Sequence, residues 1–372
     1  MNPLVKQLAT AAALLLMACG TERRPGAHPD GPRWRLEPVA TLAGPADTGW
    51  TRLSAVVADA TGNIYVLDEG AAQIRVFDSA GAPLRVIGRK GAGPGEFGPA
   101  YGMGIGWLGD TLVVLDPGNG RLARLTLAGQ WIGSWPAKRI TGTGVRVHQA
   151  SLDAVYTPDW QPNNGNAQSL LVRYTAAGAG DTLVMPERPK DPPGAIVCPA
   201  AGGAIRFFGV PFAPGVLAEP GPAGELVTAR TGAYRIAFTS RDGDTLRTIV
   251  RAIEPVAVTD SEWTAGVEEY TDFRSKNPAA NCDPSSPPRM RTKPILRHLT
   301  FDDAGNLWVE RRSAAGDMLD VFDPAGKLVG TMPAPAHDPD VPVYVRRATL
   351  YAIDLDSATG AQVVKGYRVT RQ

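Results

Sequence analysis

The sequence predicts an all-β protein, a six-bladed β-propeller, and two observations support this prediction. The first is an internal repeat: DATGNIYV at 59–66 returns as DDAGNLWV at 302–309, and IRVFD at 74–78 returns as LDVFD at 319–323. The second is the content of 42 glycines and 33 prolines in 372 residues, which is typical of many short strands joined by tight turns. A repeated supersecondary unit must pack against its copies, because no single unit buries its apolar faces alone.

The clearest unit spans residues 56–87 and has the pattern of four antiparallel strands. An apolar strand ends at Ala58, and strands at 64–68, 74–77 and 84–87 follow it, each separated from the last by turn residues. The glycine in these turns reaches positive φ without a steric penalty. Four short strands joined in this way form one propeller blade.

Five further units complete the predicted ring. They differ in how closely they follow the first unit, and blades three and six depart furthest from it. The copies are centred on residues 114–129, 152–184, 224–243, 300–331 and 343–369.

The two ends of the chain are predicted to close the ring. The last unit ends after its third strand, while residues 35–42 form an alternating strand that belongs to no hairpin. An unclosed ring exposes two sheet edges, and pairing the N-terminal strand with the C-terminal blade removes both.

Two insertions interrupt the repeat. Residues 186–204 are rich in proline and glycine and are expected to be a loop. Within 254–294, Thr259 and Glu262 have the spacing of a capping box, and apolar residues then recur at helical intervals from Trp263 onward. We therefore expect one amphipathic helix in the second insertion.

The N-terminus has the features of an export signal. Residues 1–18 carry a single cation, Lys6, before an apolar run that is too short to span a bilayer. The following residues, 19–33, are polar and show no helical or strand-like periodicity of apolar side chains. They are predicted to be a flexible tether to the propeller at 34–372.

The end of the signal, LMAC at 16–19, resembles the lipobox of bacterial lipoproteins. This resemblance implies cleavage before Cys19 and acylation of its side chain and new N-terminus, which anchors the protein to a membrane. Gly20 stands where an aspartate would resemble the inner-membrane retention signal, so the outer membrane is the expected destination. The alternative is an ordinary signal peptide whose cleavage site contains a cysteine.

The other two cysteines, Cys198 and Cys282, form an even pair in an exported chain, so a disulfide is expected. The alternative is a pair of buried free thiols, since sequence alone does not show that they are close.

The chain also resembles a known family. GRKGAGPGEF at 88–97, together with the Gly-Asn turns and the I-x-V-F-D strands, is similar to the NHL-repeat family, an NHL/TolB-like group of six-bladed propellers. More narrowly, residues 34–372 resemble six-bladed propeller lipoproteins of bacteria. We expect a monomeric propeller in which the loops and axial funnel of one face recognise the ligand or partner.

Charge and motifs exclude several functions. Lys and Arg number 38 against 37 Asp and Glu, so the chain has no basic footprint for nucleic acid. None of the four histidines has a metal-type partner at short spacing, and the chain has no G-x-S-x-G motif. The sequence assigns no catalytic residue, no metal ligand and no cofactor.

Two groups of residues are candidates for ligand binding. One lies in the connection between the first two blades and the other in the off-consensus third blade, where departure from the repeat can mark a specialised role. The alternative for both groups is an ordinary solvated loop. The candidates are Arg89, Lys90 and Glu96, and Trp160, Asn163 and Asn164.

We therefore expect an exported, lipid-anchored binding or scaffold module at the cell envelope, with a ligand or protein partner that the sequence does not identify. The alternative is a metal-dependent hydrolase or lyase, because some propellers resembling this one carry calcium in the central channel. Candidate ligands under that alternative recur at turns and strand ends, which favours turn chemistry for them. They are Asp59, Asp68, Asp116, Asp302 and Asp303.

Overall fold

The chain folds as a six-bladed β-propeller, as predicted, in a computed structural model. Five blades contain four strands each, and a three-stranded sheet forms the main part of the remaining one. Neighbouring strands of each blade are antiparallel, and in blades 1 to 5 they follow one another in chain order. The structure describes residues 32–42, 44, 49–138, 145–149, 151–163, 166–188, 190–199, 203–356 and 359–371.

The first strand of the chain, β1 (Trp34–Leu42), forms no strand pair with blade 1, although Leu42 packs in a core cluster with residues of that blade. Blade 1 contains β2 (Leu53–Ala58), β3 (Ile64–Asp68), β4 (Gln73–Phe77) and β5 (Pro83–Ile87). Blade 2 contains β6 (Gly104–Leu108), β7 (Thr111–Asp116), β8 (Arg121–Leu125) and β9 (Trp131–Pro136). Blade 3 contains β10 (Val155–Asn163), β11 (Asn166–Thr175) and β12 (Gly178–Val184).

A hairpin and two helices are inserted on either side of blade 4. The hairpin is β13 (Ala195–Pro199) and β14 (Ile205–Gly209), and blade 4 contains β15 (Val216–Pro220), β16 (Leu226–Arg230), β17 (Arg235–Thr239) and β18 (Thr245–Val250). The helices are α1 (Asp260–Gly266) and α2 (Glu268–Lys276). Blade 5 contains β19 (Leu296–Phe301), β20 (Leu307–Arg311), β21 (Met318–Phe322) and β22 (Leu328–Pro333), and blade 6 has β23 (Tyr344–Arg346), β24 (Thr349–Leu355) and β25 (Gln362–Arg371).

Ring closure occurs as predicted. Strand β1 pairs antiparallel with β25 from Trp34 opposite Arg371 to Leu42 opposite Val364, so blade 6 has the order β1-β25-β24-β23. The pairing covers the edge of β25 that would otherwise be exposed.

Trp34 also joins β1 to blade 5. Its ring packs edge-on against Trp308 with 6.0 Å between ring centroids. Gly330 of β22 permits this approach, because a Cβ there would lie 2.5 Å from the indole. The closing strand thus contacts blade 5 as well as its own sheet.

The repeated aspartates are turn residues. Asp59 accepts hydrogen bonds from the backbone and hydroxyl of Thr61 and from the backbone and side-chain amide of Asn63. Asp302 accepts the equivalent bonds from Ala304 and Asn306 in blade 5. Each carboxylate satisfies the donors of a tight turn, which explains why the residue recurs.

Blade 3 takes its innermost strand from an irregular segment. His148 and Tyr156 of β10 exchange two backbone hydrogen bonds of 2.9 Å, which places residues 145–149 on the inner side of β10. This segment therefore occupies the position that β6 and β15 hold in their blades.

The insertions form a small unit with its own core. The expected disulfide is present, linking Cys198 of β13 to Cys282. Both cysteines are buried in a cluster with Phe208, Tyr270 and Phe273, which packs the hairpin against α2. Residues 195–199 therefore form a strand, and the prediction of a loop there was wrong. The sequence of the first insertion gave no sign of the strand, because its partner β14 and most of this core lie outside that insertion.

The second insertion contains two consecutive helices where one was predicted. The capping box is present, with Glu262 N–H donating to the Thr259 side chain and Thr259 N–H donating to Glu262. The helix is interrupted at Val267, whose ψ of 2° leaves helical geometry. The preceding Gly266 packs closely on Pro211, where a Cβ would lie 2.8 Å from the proline ring.

Truncation of Trp34 should strongly destabilise the ring. The change Trp34→Ala removes a buried aromatic side chain at the closure, and we expect it to lower the free energy of unfolding by about 3 to 5 kcal/mol. Val39→Ala in the same strand is the control, because Val39 is 44% exposed, and it should change stability by no more than about 0.5 kcal/mol. Urea unfolding of both variants measures the difference, and equal effects would show that Trp34 does not stabilise the closure.

Candidate functional site

The innermost strands of all six blades surround a narrow cavity on the ring axis. It has a volume of about 80 Å³ and is enclosed by segments of β2, β6, residues 146–149, β15, β19 and the segment that leads into β23. Its wall includes Ser54, Ile105, Arg146, Glu219, Thr300 and Val343.

One end of this cavity opens into a larger pocket of about 690 Å³. The turns that follow the innermost strands of blades 3, 4 and 5 line the pocket, together with β23 of blade 6. Gln149, Phe301 and Tyr344 line both spaces, so the pocket is the mouth of the axial channel. We call it the axial pocket.

The axial pocket combines apolar walls with a few charged groups. Leu152, Phe301 and Val345 contribute apolar surface, and Arg346 and Asp303 are charged members of the lining. Arg346 is held in place, because its guanidinium donates a 2.7 Å hydrogen bond to the carbonyl of Ala58 in blade 1. Apolar walls with a small number of fixed polar groups are typical of small-molecule sites.

A buried ion cluster lies in the channel wall. One oxygen of Glu219, Oε2, accepts from Arg146 at 2.7 Å and lies 3.0 Å from Nδ1 of His148. Burial raises the pKa of Glu219, but His148 and Arg146 outweigh this effect and leave the pKa below its ordinary value. Burial lowers the pKa of His148. Glu219 is therefore ionised at neutral pH and holds both neighbours in place.

A second cluster brings together His298 of β19, Glu310 of β20 and His337 of the segment between β22 and β23. One potential ligand atom of each residue lies within 4.8 Å of the other two. The Nε2 atom of His337 is 3.2 Å from Oε2 of Glu310, and both side chains are almost fully buried, with 3% and 1% of their surface exposed. Two imidazoles and a carboxylate in this arrangement can bind a metal ion.

Two arginines interact electrostatically with Glu310, namely Arg297 and Arg312. Arg297 lies 3.3 Å from Oε1 of Glu310 and 2.5 Å from Asp317, so its charge is shared between two carboxylates. Burial raises the pKa of Glu310, but His337, His298 and Arg297 together leave it below its ordinary value. Burial lowers the pKa of His337, and Glu310 outweighs it and raises that pKa.

Sequence reasoning missed this cluster. His298 and His337 are too far apart in the sequence to form a metal-binding motif. They come together because β19 of blade 5 lies close to the segment that connects β22 to blade 6. The one local signal is that His337 lies in the connection between two blades, where the repeat pattern is interrupted.

The predicted residues of the connection between blades 1 and 2 form a self-contained loop. Arg89 pairs with Glu96 at 2.8 Å, and the second oxygen of Glu96 accepts from the backbone of Gly93. The backbone of Lys90 bridges to Phe97. These contacts order the loop and place Arg89 and Glu96 against each other, and none of the three candidates lines the axial pocket.

The other predicted residues lie at the end of the β10–β11 hairpin. Trp160 is 47% exposed, and the ammonium of Lys138 lies 5.6 Å from its ring centroid. Asn163 pairs with Asn166 across the hairpin, and Asn164 lies outside the described residues. Trp160 is not among the described residues that line the axial pocket, and a ligand role for this group stays a prediction.

The predicted lipidation site, Cys19, also lies outside the described residues. Among the residues that the structure describes, no helix has the length and apolar character needed to cross a membrane.

Removal of the Glu219 charge should destabilise the protein in a pH-dependent way. Glu219→Gln leaves Arg146 unpaired in the channel wall, which we expect to cost about 3 kcal/mol at pH 7. The contribution of Glu219 is fully present above the ordinary carboxyl pKa of 4.5 and is lost as the pH falls through the lower pKa of the folded state. Wild type and variant should therefore converge in stability as the pH falls from about 5 toward 3.

Urea unfolding at pH 7, 5 and 3 checks this expectation. Glu37→Gln is the control, because Glu37 is exposed on β1, and it should follow wild type at each pH. A difference between Glu219→Gln and wild type that stays constant over this range would contradict the charged state assigned to Glu219.

Comparison with known proteins agrees with the fold. The DUF5128 family, described as a 6-bladed beta-propeller, matches residues 52–134, which correspond to blade 1 and nearly all of blade 2. No curated protein matches the sequence.

Solved structures with similar folds are distant in sequence. A member of the DUF4221 family from Bacteroides vulgatus is 12% identical with a TM-score of 0.49, covering 92% of this chain and 100% of that one. Virginiamycin B lyase from Staphylococcus aureus is 11% identical with a TM-score of 0.46, covering 91% of this chain and 100% of the lyase. No role is carried from these distant chains to this one. The strand pairing and the family match together identify the chain as a six-bladed β-propeller.

Proposed function

We propose that this protein is an exported, lipid-anchored binding module that holds a small organic ligand in the axial pocket. The observation that carries the proposal is the pocket itself, which has a volume of about 690 Å³ and lies on the ring axis between four blades. Ligand pockets in proteins have volumes of roughly 300 to 1,000 Å³.

The lining supports a ligand with an apolar body and a polar end. Phe301 is buried in the wall, and Leu152 is 41% exposed in a position to cover an apolar group. Arg346 and Asp303 supply opposite charges at separate positions of the lining, which can orient a polar ligand.

The pocket is largely preformed. Arg346 is anchored to Ala58, and the backbone of the neighbouring Arg347 donates a 3.0 Å hydrogen bond to Asp303. These bonds connect blade 6 to blades 1 and 5 around the mouth of the channel. A preformed site binds with a smaller loss of conformational entropy, which favours a binding role.

The N-terminal sequence supports a position at the cell envelope. The lipobox at 16–19 and the polar tether at 19–33 would place the propeller close to a membrane without embedding it. The outer membrane is the proposed destination.

A metal-dependent hydrolase or lyase is the second candidate function. The observation that favours it is the cluster of His298, Glu310 and His337. The calcium that the family resemblance implies prefers oxygen ligands. Two imidazoles instead suit a transition metal, so under this alternative the metal would differ from that expectation.

Filling the axial pocket should abolish ligand binding. Ala304→Trp places an indole on an exposed turn residue in the lining, and we expect ligand retention to fall at least about tenfold. Ala80→Trp is a matched control, because Ala80 and Ala304 donate the same 2.9 Å backbone hydrogen bond to the first aspartate of equivalent turns. Native mass spectrometry of the full chain after incubation with a small-molecule extract of the producing cells measures retention. Equal retention by the two variants would place the ligand elsewhere, and no adduct on wild type would contradict a small-molecule function.

Replacement of the lipobox cysteine should release the protein from the membrane. Cys19→Ser removes the thiol that would be acylated, so labelled palmitate should no longer be incorporated and the propeller should appear in the soluble fraction. Cys198→Ser is the control, because this cysteine is part of the disulfide and not of the lipobox. Continued incorporation of label by Cys19→Ser would contradict the anchor.

A further inference from the structure

We propose that His298, Glu310 and His337 form a binding site for a divalent transition-metal ion of the zinc type, with one coordination position left open. The proposal goes beyond ligand binding in the axial pocket and does not depend on it.

The geometry of the three side chains fits a metal ion. The candidate ligand atoms all lie within 4.8 Å of one another. Two atoms bound at about 2.05 Å to one tetrahedral ion lie about 3.3 Å apart, and Nε2 of His337 and Oε2 of Glu310 are separated by 3.2 Å. These two atoms already have the spacing of neighbouring metal ligands.

Backbone carbonyls set the tautomer of both histidines. A carbonyl oxygen only accepts, so Nδ1–H of His337 donates to Pro335 O at 3.0 Å and Nε2–H of His298 donates to Pro339 O at 2.9 Å. Each neutral ring then has a lone pair on its other nitrogen, which for His337 is the atom that faces Glu310. A carbonyl that orients an imidazole in this way is the usual second shell of a metal-bound histidine.

The buried atoms that face each other lack hydrogen bonds. Within the described residues, both carboxylate oxygens of Glu310 and Nε2 of His337 are buried and make no hydrogen bond of good geometry, although Oε1 lies 3.3 Å from Arg297 and Oε2 lies 3.2 Å from Nε2 of His337. Buried polar atoms are rarely left unpaired, and such atoms call for an explanation such as an ion. A metal ion in this gap would satisfy His337 and Glu310 together.

The charges around the cluster permit a cation. Arg297 lies 3.3 Å from Oε1 of Glu310 and 2.5 Å from Asp317, which offsets its charge. Arg312 interacts electrostatically with Glu310 and with Asp317, and Arg146 interacts electrostatically with His298. Oε2 of Glu310 remains directed toward His337 and not toward Arg297. The competing arrangement is a proton on His337 in place of the metal.

The ligand set selects the class of ion. Two imidazoles and one carboxylate suit zinc and related transition metals, whereas calcium and magnesium prefer oxygen ligands. Three protein ligands leave the fourth position of a tetrahedral ion for water or a bound ligand, which distinguishes this site from closed structural zinc sites.

Zinc binding by the full chain tests the proposal directly. The chain is purified in detergent without a histidine tag, stripped with chelator and dialysed against zinc chloride, and bound zinc is measured by mass spectrometry. We expect one zinc ion per wild-type chain, and His337→Gln and Glu310→Gln should each weaken binding by more than about tenfold. The controls are His148→Gln, a buried histidine paired with only one carboxylate, and His28→Gln in the predicted tether, and both should keep the ion.

A second measurement avoids variants that fold poorly. In wild type with labelled histidine, zinc should shift the ring resonances of His298 and His337 and leave that of His148 unchanged. Absence of bound zinc, zinc binding that survives both ligand substitutions, or shifts at His148 alone would overturn the proposal, as would magnesium or calcium binding with equal affinity. Ala304→Trp should still bind zinc, so failure of the axial pocket and failure of the metal site are distinguishable.

Discussion

Ring closure through β1 and β25 is the constraint on which the rest of the structure depends. The innermost strands of six blades face one axis only when the ring is closed, and the axial cavity exists because of that convergence. The closing pairing also removes two open sheet edges. Trp34 packs against Trp308 of blade 5, so the closing strand also contacts a second sheet.

Each of the two polar clusters includes a histidine from a segment that departs from the repeat. His148 belongs to the irregular inner segment of blade 3, and His337 belongs to the connection between blades 5 and 6. Residues that the repeat shares between blades 1 and 5, such as Asp59 and Asp302, are used by turns and are hydrogen-bonded locally. Function in a repeat fold is concentrated in the non-repeated positions, because the repeated ones are already required for the fold.

The insertions add a unit that is stabilised separately from the ring. Its core packs β13 and β14 against α2, and the disulfide joins residues that are 84 positions apart in the sequence. In the chain-entropy account, closing a loop of this length contributes about 4 to 5 kcal/mol. Small cores that bury little apolar surface are commonly reinforced by disulfides.

Local sequence patterns were sufficient to predict the blades, the turns, the capping box and the pairing of the chain ends. Each depends on residues that are close in sequence or on the number of strands. A disulfide was expected because the chain has an even pair of cysteines and a predicted export signal. The two cysteines come close enough to pair because α2 packs on the hairpin. The break at Val267 was not predicted, because Gly266 meets Pro211 only in the folded chain.

Both polar clusters, that of Glu219 in the channel wall and that of Glu310, depend on tertiary structure alone. Glu219 and His148 are 71 positions apart, and His298 reaches Glu310 and His337 from neighbouring strands and blades. Such contacts have no local signature, since the spacing that brings them together is set by the radius of the ring and the register of its strands. The sequence by itself determined that a ring of blades would form, and the closed ring determined which side chains meet at its axis.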